Sequence, residues 1–170
     1  MPALHVAFFR NLNLGQRGSP TRDQVLAAFE EAGATDVRSF QVNGTVAFRA
    51  AAPVRTVGAV CSWLSGRTGR HDVAPVRTAR WVLDLVDETR DVGDRSEVSF
   101  FDSRSDFPAS LPWRPDGGRV TVVRADRRHA VSVNDLPRTS YATPALESLL
   151  GLRVTSRGLS TMQRLAERLR

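Results

Sequence analysis

Asp36-Val37-Arg38-Ser39-Phe40-Gln41-Val42-Asn43-Gly44-Thr45-Val46-Ala47-Phe48-Arg49-Ala50 is the stretch on which the fold turns. Asp36 to Gln41 and Thr45 to Ala50 each read as a strand, and Asn43-Gly44 stands between them. That dipeptide is the strongest short-range hairpin signal, because both residues accept the positive φ of a type I′ turn.

Working outward, Leu4 to Arg10 opens with alternating apolar residues and reads as a strand rather than a signal peptide, having no basic leader and no small-residue cleavage site. A polar loop, Asn11 to Ser19, precedes a helix that opens at Pro20-Thr21. Thr21 and Gln24 have capping-box spacing, Val25, Phe29 and Ala32 form an apolar stripe, and Gly33 is a natural stop. After the hairpin, Pro53 starts a second helix with Val54, Val57, Val60, Cys61 and Leu64 on one face, ended by Gly66 and Gly69. Val73 to Thr78 is a fourth strand. The order β-α-β-β-α-β is that of the ferredoxin-like plait.

The remainder is less regular. Arg80 to Glu88 reads as a short helix, Glu97 to Phe101 as a strand, and Ser103 to Pro115 as a Pro- and Ser-rich irregular passage. A hairpin around Asp126-Arg127-Arg128 joins Gly118–Arg124 to Ala130–Val133. A helix over Pro144–Leu150, a strand over Arg153–Ser156 and a last helix from Leu159 complete it. No fixed-period repeat stands out. The expectation is an α+β protein: a ferredoxin-like βαββαβ plait over 1–78, and a second, smaller α+β half over 79–170 packed on it and sharing its core.

Composition excludes several chemistries. All 24 Lys+Arg residues are arginine, which rules out a Schiff-base lysine, a pyridoxal-phosphate anchor and a P-loop lysine. The same arginine bias lifts the net charge to +6 without implying a partner. The single cysteine, Cys61, lies in an apolar helical stretch and reads as an inert thiol, in keeping with a reducing cytoplasm. No apolar run approaches the ~20 residues that span a bilayer, so no membrane partner is expected. His5, His71 and His129 lack metal-ligand spacing, and Gly158-Leu159-Ser160-Thr161-Met162 lacks the last glycine of a nucleophile elbow. No catalytic residue, metal site or cofactor is assigned, and whether the chain is an enzyme stays open.

Three segments resemble the bacterial family known as domain of unknown function 1697. Phe8-Phe9-Arg10-Asn11-Leu12-Asn13-Leu14-Gly15-Gln16 is similar to its Leu-Leu-Arg-Gly-Ile-Asn-Val-Gly-Gly motif. Ser39-Phe40-Gln41-Val42-Asn43-Gly44-Thr45-Val46-Ala47-Phe48 stands where the family has Thr-Tyr-Ile-Gln-Ser-Gly-Asn-Val-Val-Phe. Thr155-Ser156-Arg157-Gly158-Leu159-Ser160-Thr161 matches Thr-Thr-Arg-Asn-Trp-Asn-Thr. The resemblance implies an α+β fold with a plait-like first half, and no established activity. The chain departs from it at Asn11, Asn43, Thr45, Gly158 and Leu159, which marks a divergent member.

A plait makes its first two strands parallel, because the crossover between them is right-handed. The loop after the first strand and the turn after the second then leave the sheet at one end. That places Arg10, Asn11, Asn13, Gly15, Arg17, Asn43 and Gly44 on a shared rim near the start of the first helix, with Arg157 as a more distant candidate. Helix N-termini attract anions, so the candidate partner is an anionic small molecule or a phosphate-bearing group. The rival explanation is that these Asn and Gly residues only satisfy turn backbone. Two further alternatives are a small-molecule enzyme with a noncanonical site and a nucleic-acid accessory protein using Arg164 and Arg168 of the last helix. Self-association is suggested by a sign asymmetry: Asp84, Asp87, Glu88, Asp91 and Asp94 lie in the middle of the chain and arginines at its end.

Overall fold

Strand β1 (Leu4–Phe8) occupies the inside of a four-stranded antiparallel sheet ordered β2 (Thr35–Phe40), β3 (Thr45–Arg49), β1, β4 (Val76–Thr78), with α1 (Arg22–Glu31) and α2 (Pro53–Thr68) as its two crossovers. This is the expected plait. The computed structural model describes residues 1–69 and 72–170, and the chain divides into two compact units, Met1–Trp81 and Val82–Arg170.

The local signals act as their chemistry requires. Gln24 N donates to Thr21 Oγ1 and Thr21 N donates to Gln24 Oε1, so the capping box closes the first turn of α1. Val25 and Phe29 on α1, Val57, Val60 and Leu64 on α2, and Ala7, Phe9, Val46 and Phe48 from the sheet form one core. The Phe29 and Phe48 rings pack with centroids 4.9 Å apart. Val6, Phe8, Thr45 and Ala47, on the other face of the sheet, are buried as well.

Several details differ from the sequence reading. The hairpin is not a two-residue type I′ turn at Asn43-Gly44. Phe40 pairs with Thr45 across the four residues 41–44, and the positive φ values fall on Gln41 (56°) and Gly44 (68°), not on Asn43. Gly66 lies inside α2, and the left-handed residue that ends the helix is Gly69, at φ 66°. Val54 points outward, 74% exposed, while Thr56 takes a buried place on that helix. Strand β4 begins at Val76 instead of Val73.

The second unit contains most of α3 (Ala79–Glu88), then β5 (Ser96–Phe100), β6 (Val120–Ala125), β7 (His129–Asn134), α4 (Ala142–Leu150), β8 (Thr155–Gly158) and α5 (Leu159–Leu169). Its sheet order is β6-β7-β5-β8. In chain order this is the sheet of the first unit again, first strand inside and second strand at one edge. The registers coincide. Val6 pairs with Ala47 and Arg77, and Val98 pairs with Val131 and Arg157. Val6-Ala7-Phe8-Phe9 thus corresponds to Val98-Ser99-Phe100-Phe101, and Arg77 to Arg157. Phe9 N donates to Gly44 O just before β3, and Phe101 N donates to Arg128 O just before β7. In both units the fourth strand runs directly into a helix, β4 into α3 and β8 into α5.

Two departures separate the units. Residues 101–119, the first crossover of the second unit, hold no helix, so α1 has no counterpart. The second-crossover helices also start differently. Helix α2 begins with Pro53, which fits the first turn because its missing N–H would have no helical partner there. Helix α4 has no cap from its own Tyr141; the buried Glu97 carboxylate on β5 accepts from Ala142 N at 3.0 Å, Ser140 Oγ at 2.7 Å and Asn134 Nδ2 at 3.1 Å. A carboxylate at a helix N-terminus satisfies an orphan donor and complements the dipole. No helix among the described residues is long and apolar enough to cross a membrane.

Candidate functional site

The two connections of the first unit do meet. Phe9 N donates to Gly44 O at 2.8 Å and Leu14 N donates to Val42 O at 2.8 Å, stitching the loop after β1 to the turn after β2. Gly44 is required there: a Cβ would lie 2.8 Å from Leu12 Cβ and 2.9 Å from Leu12 O. Leu12 and Leu14 are buried in the core, and Asn11, Asn13, Gly15, Gln16 and Arg17 face solvent. The loop is anchored by its leucines, which leaves its polar residues displayed.

Its backbone is largely occupied. Gly15 N donates to Pro20 O, Gln16 N to Asn13 O and Ser19 N to Gln16 O, with Gly15 and Gly18 at φ 77° and 78°. The capping box also consumes an N–H at the start of α1, and Asp23 adds a negative charge in its first turn. An anion at this rim would be met by side chains, not by a nest of free amides.

Arg10 does not project onto the rim as a free cation. Its Nη1 donates to Asp72 Oδ1 at 3.1 Å, both side chains being mostly buried. Arg10, Asn11 and Leu12 line a cleft with Cys61, Leu64 and Thr68 of α2, and with Asp72. It holds about 20 Å³, room for one water and far below the several hundred Å³ of a small-molecule pocket. Burial, with help from the Asp72 charge, pushes the Cys61 thiol up to about 11, which keeps it protonated and inert near neutral pH. Exposed Arg17 and Arg22, which make no ion pair among the described residues, carry the positive charge of this end.

Arg157 belongs to the second unit. It is buried, 9% exposed, on β8, where Nη1 donates to Thr155 Oγ1 and Ser156 O. Burial pushes its guanidinium down to about 10, which leaves it charged at neutral pH. Arg157, the more distant candidate for the rim, is thus an interior residue equivalent to Arg77, itself 2% exposed and donating to Val76 O. The charge asymmetry is partly resolved within the second unit, where Arg170 reaches Asp87 at 2.9 Å and Arg124 reaches Asp91 at 3.4 Å.

The sequence reading missed a larger groove in the second unit, of about 400 Å³, lined by Asp102, Ser103 and Arg104 after β5 and by Leu149, Leu150 and Leu152 at the end of α4. Among the described residues no group of three or more His, Cys, Asp or Glu is placed to hold a metal; His71 lies outside them.

Residues 3–107 match the family described as "Protein of unknown function (DUF1697)". Among solved structures, the conserved bacterial protein SP0830 from Streptococcus pneumoniae is similar, at 12% identity and a TM-score of 0.70, covering 99% of each chain. At that identity the likeness speaks for the fold alone. No functionally curated protein matches the chain.

Proposed function

For this chain, which belongs to the DUF1697 family of proteins of unknown function, we propose a non-enzymatic binding module that takes an anionic or phosphate-bearing small molecule at the rim of its first unit. The observation that supports this reading is the pair of backbone bonds, Phe9 N to Gly44 O and Leu14 N to Val42 O, which hold two chain-distant loops as one rigid edge. A rigid edge lowers the ordering cost of binding. Apart from Val42, the exposed residues on it are polar or glycine, and Arg17, which makes no ion pair among the described residues, can donate in a bidentate fork to phosphate or carboxylate oxygens. Arg10 serves the edge as scaffold, through Asp72, and Asn43 and Gly44 serve it as the turn that the loop grips.

Thermal shift with inorganic pyrophosphate tests the reading. The melting temperature should rise with pyrophosphate concentration, and Asn13→Ala/Arg17→Ala should abolish the rise without changing the unliganded melting point by much, since both side chains are exposed. A rise that survives the double substitution, or no rise at all, would overturn it.

A further inference from the structure

Each unit has a cleft where its first strand ends beside the C-terminal end of its second-crossover helix. In the first unit the Arg10–Asp72 pair lies in it and about 20 Å³ remains. In the second, the irregular passage 101–119 stands in place of helix α1 and about 400 Å³ is open, the size of a small-molecule pocket.

The lining pairs an apolar floor with one available cation. Leu149, Leu150 and Leu152 are half-exposed in the groove, and removing them from water is favourable. The rest of the lining is the chain that follows β5, and its two acids are engaged. Asp106 accepts from Arg127 at 2.7 Å, and Asp102 has an interaction partner of its own. Arg104, by contrast, is exposed and makes no ion pair among the described residues. The exposed Ser105 hydroxyl next to it makes no hydrogen bond among them either. The backbone that presents the two is pinned: Ser103 N donates to Arg127 O at 2.8 Å, Ser103 Oγ donates to Ser105 O at 2.8 Å, and Ser105 N donates back to Ser103 Oγ at 3.1 Å. Donors held in place cost little ordering when a ligand arrives.

We propose that this groove binds an aliphatic monocarboxylate of the medium-chain fatty acid class. The carboxylate accepts from the Arg104 guanidinium and the Ser105 hydroxyl, and the hydrocarbon chain covers the leucine floor. Helix α4 sets the direction. It ends at Leu150, so the negative end of its dipole disfavours an anion at the leucines and leaves that place to the uncharged tail. This site lies in the second unit and does not rest on the anion site of the first.

Calorimetric titration of the full chain tests it with three probes: hexanoate, octanoate, which is two methylenes longer, and hexylamine, which carries a cation on the same length of chain as hexanoate. Hexanoate should bind saturably at millimolar concentration, and octanoate about tenfold more tightly, the worth of two largely buried methylenes. Hexylamine should bind at least about tenfold more weakly than hexanoate, having no charged hydrogen bond to accept from Arg104. Arg104 is exposed, so Arg104→Ala leaves the fold intact and should cost both acids about tenfold. Asn13→Ala/Arg17→Ala should leave octanoate binding untouched, which separates this site from the anion rim. No octanoate binding at tens of millimolar, an affinity that does not rise with chain length, hexylamine binding as well as hexanoate, an Arg104→Ala variant with undiminished affinity, or loss of octanoate binding in Asn13→Ala/Arg17→Ala would each overturn the proposal.

Discussion

Val6 and Val98 occupy the same place in two sheets, as do Phe8 and Phe100, Phe9 and Phe101, and Arg77 and Arg157. Beyond those strands the units diverge. The first unit crosses from its first strand to its second through a capped helix and keeps its cleft at about 20 Å³; the second crosses through irregular chain and has an open groove. Strand pairing is set by which residues must be buried, and it tolerates little change. Crossovers and loops lie outside that constraint and can be remade, which is where binding surfaces arise.

The largest expected effect tests the sameness of the sheets. Phe8→Ala and Phe100→Ala empty equivalent, fully buried positions and should each destabilise by about 3–5 kcal/mol in urea unfolding. A loss under ~1 kcal/mol at either would break the equivalence. Next comes a position where the units differ. Glu97→Ala leaves the Ala142 N–H and the Ser140 and Asn134 donors without their acceptor, a loss of about 2–4 kcal/mol. His5→Ala, at the matching register, should cost less than ~1 kcal/mol, because among the described residues its ring hydrogen-bonds only the nearby Ala3 carbonyl and otherwise lies 6.0 Å from the Phe48 ring. Comparable losses at the two positions would contradict the assignment of the helix cap to the second unit.

Gly44→Ala should cost about 1–3 kcal/mol, combining a left-handed backbone at φ 68° with a Cβ 2.8 Å from Leu12. Arg128, at the matching place before β7, is not among the left-handed residues, so Arg128→Ala relieves no backbone strain and should cost less than Gly44→Ala. The smallest effect is a rate. With its thiol raised from 9.0 to about 11, Cys61 should alkylate at pH 8 about a hundredfold more slowly than a free cysteine. Burial is the main cause of that shift and the Asp72 charge the second, so Asp72→Ala, which also removes the Arg10 bridge, should speed the reaction. Wild-type alkylation at the free-thiol rate would mean that the first cleft is not closed.

Much of this was legible before any coordinates. Thr21 and Gln24 announced the helix cap, and β5 through α5 each fall near the segment read for them. The repeat was not legible, because crossovers of different length and kind destroy any fixed period and leave short signatures such as Val6-Ala7-Phe8-Phe9 against Val98-Ser99-Phe100-Phe101. The rim was inferable from crossover handedness alone. The Arg10–Asp72 pair was not, since it joins residues 62 apart in sequence, and neither was the turn geometry: Asn-Gly suggests a two-residue hairpin, while the Phe40–Thr45 register encloses four residues. The groove escaped notice because none of Ser103, Arg104 or Leu149 carries a motif; only the missing helix gives them meaning.

The central claim is that one cleft is closed in the first unit and open to ligand in the second. Backbone amide chemical shifts recorded while isopropanol, a small solvent probe, is titrated into the full chain address it most directly. Shifts confined to residues 102–107 and 149–152, with those of Arg10, Leu64 and Asp72 unmoved, are the predicted result. Shifts at Arg10 and Asp72 with the second-unit amides silent would contradict it.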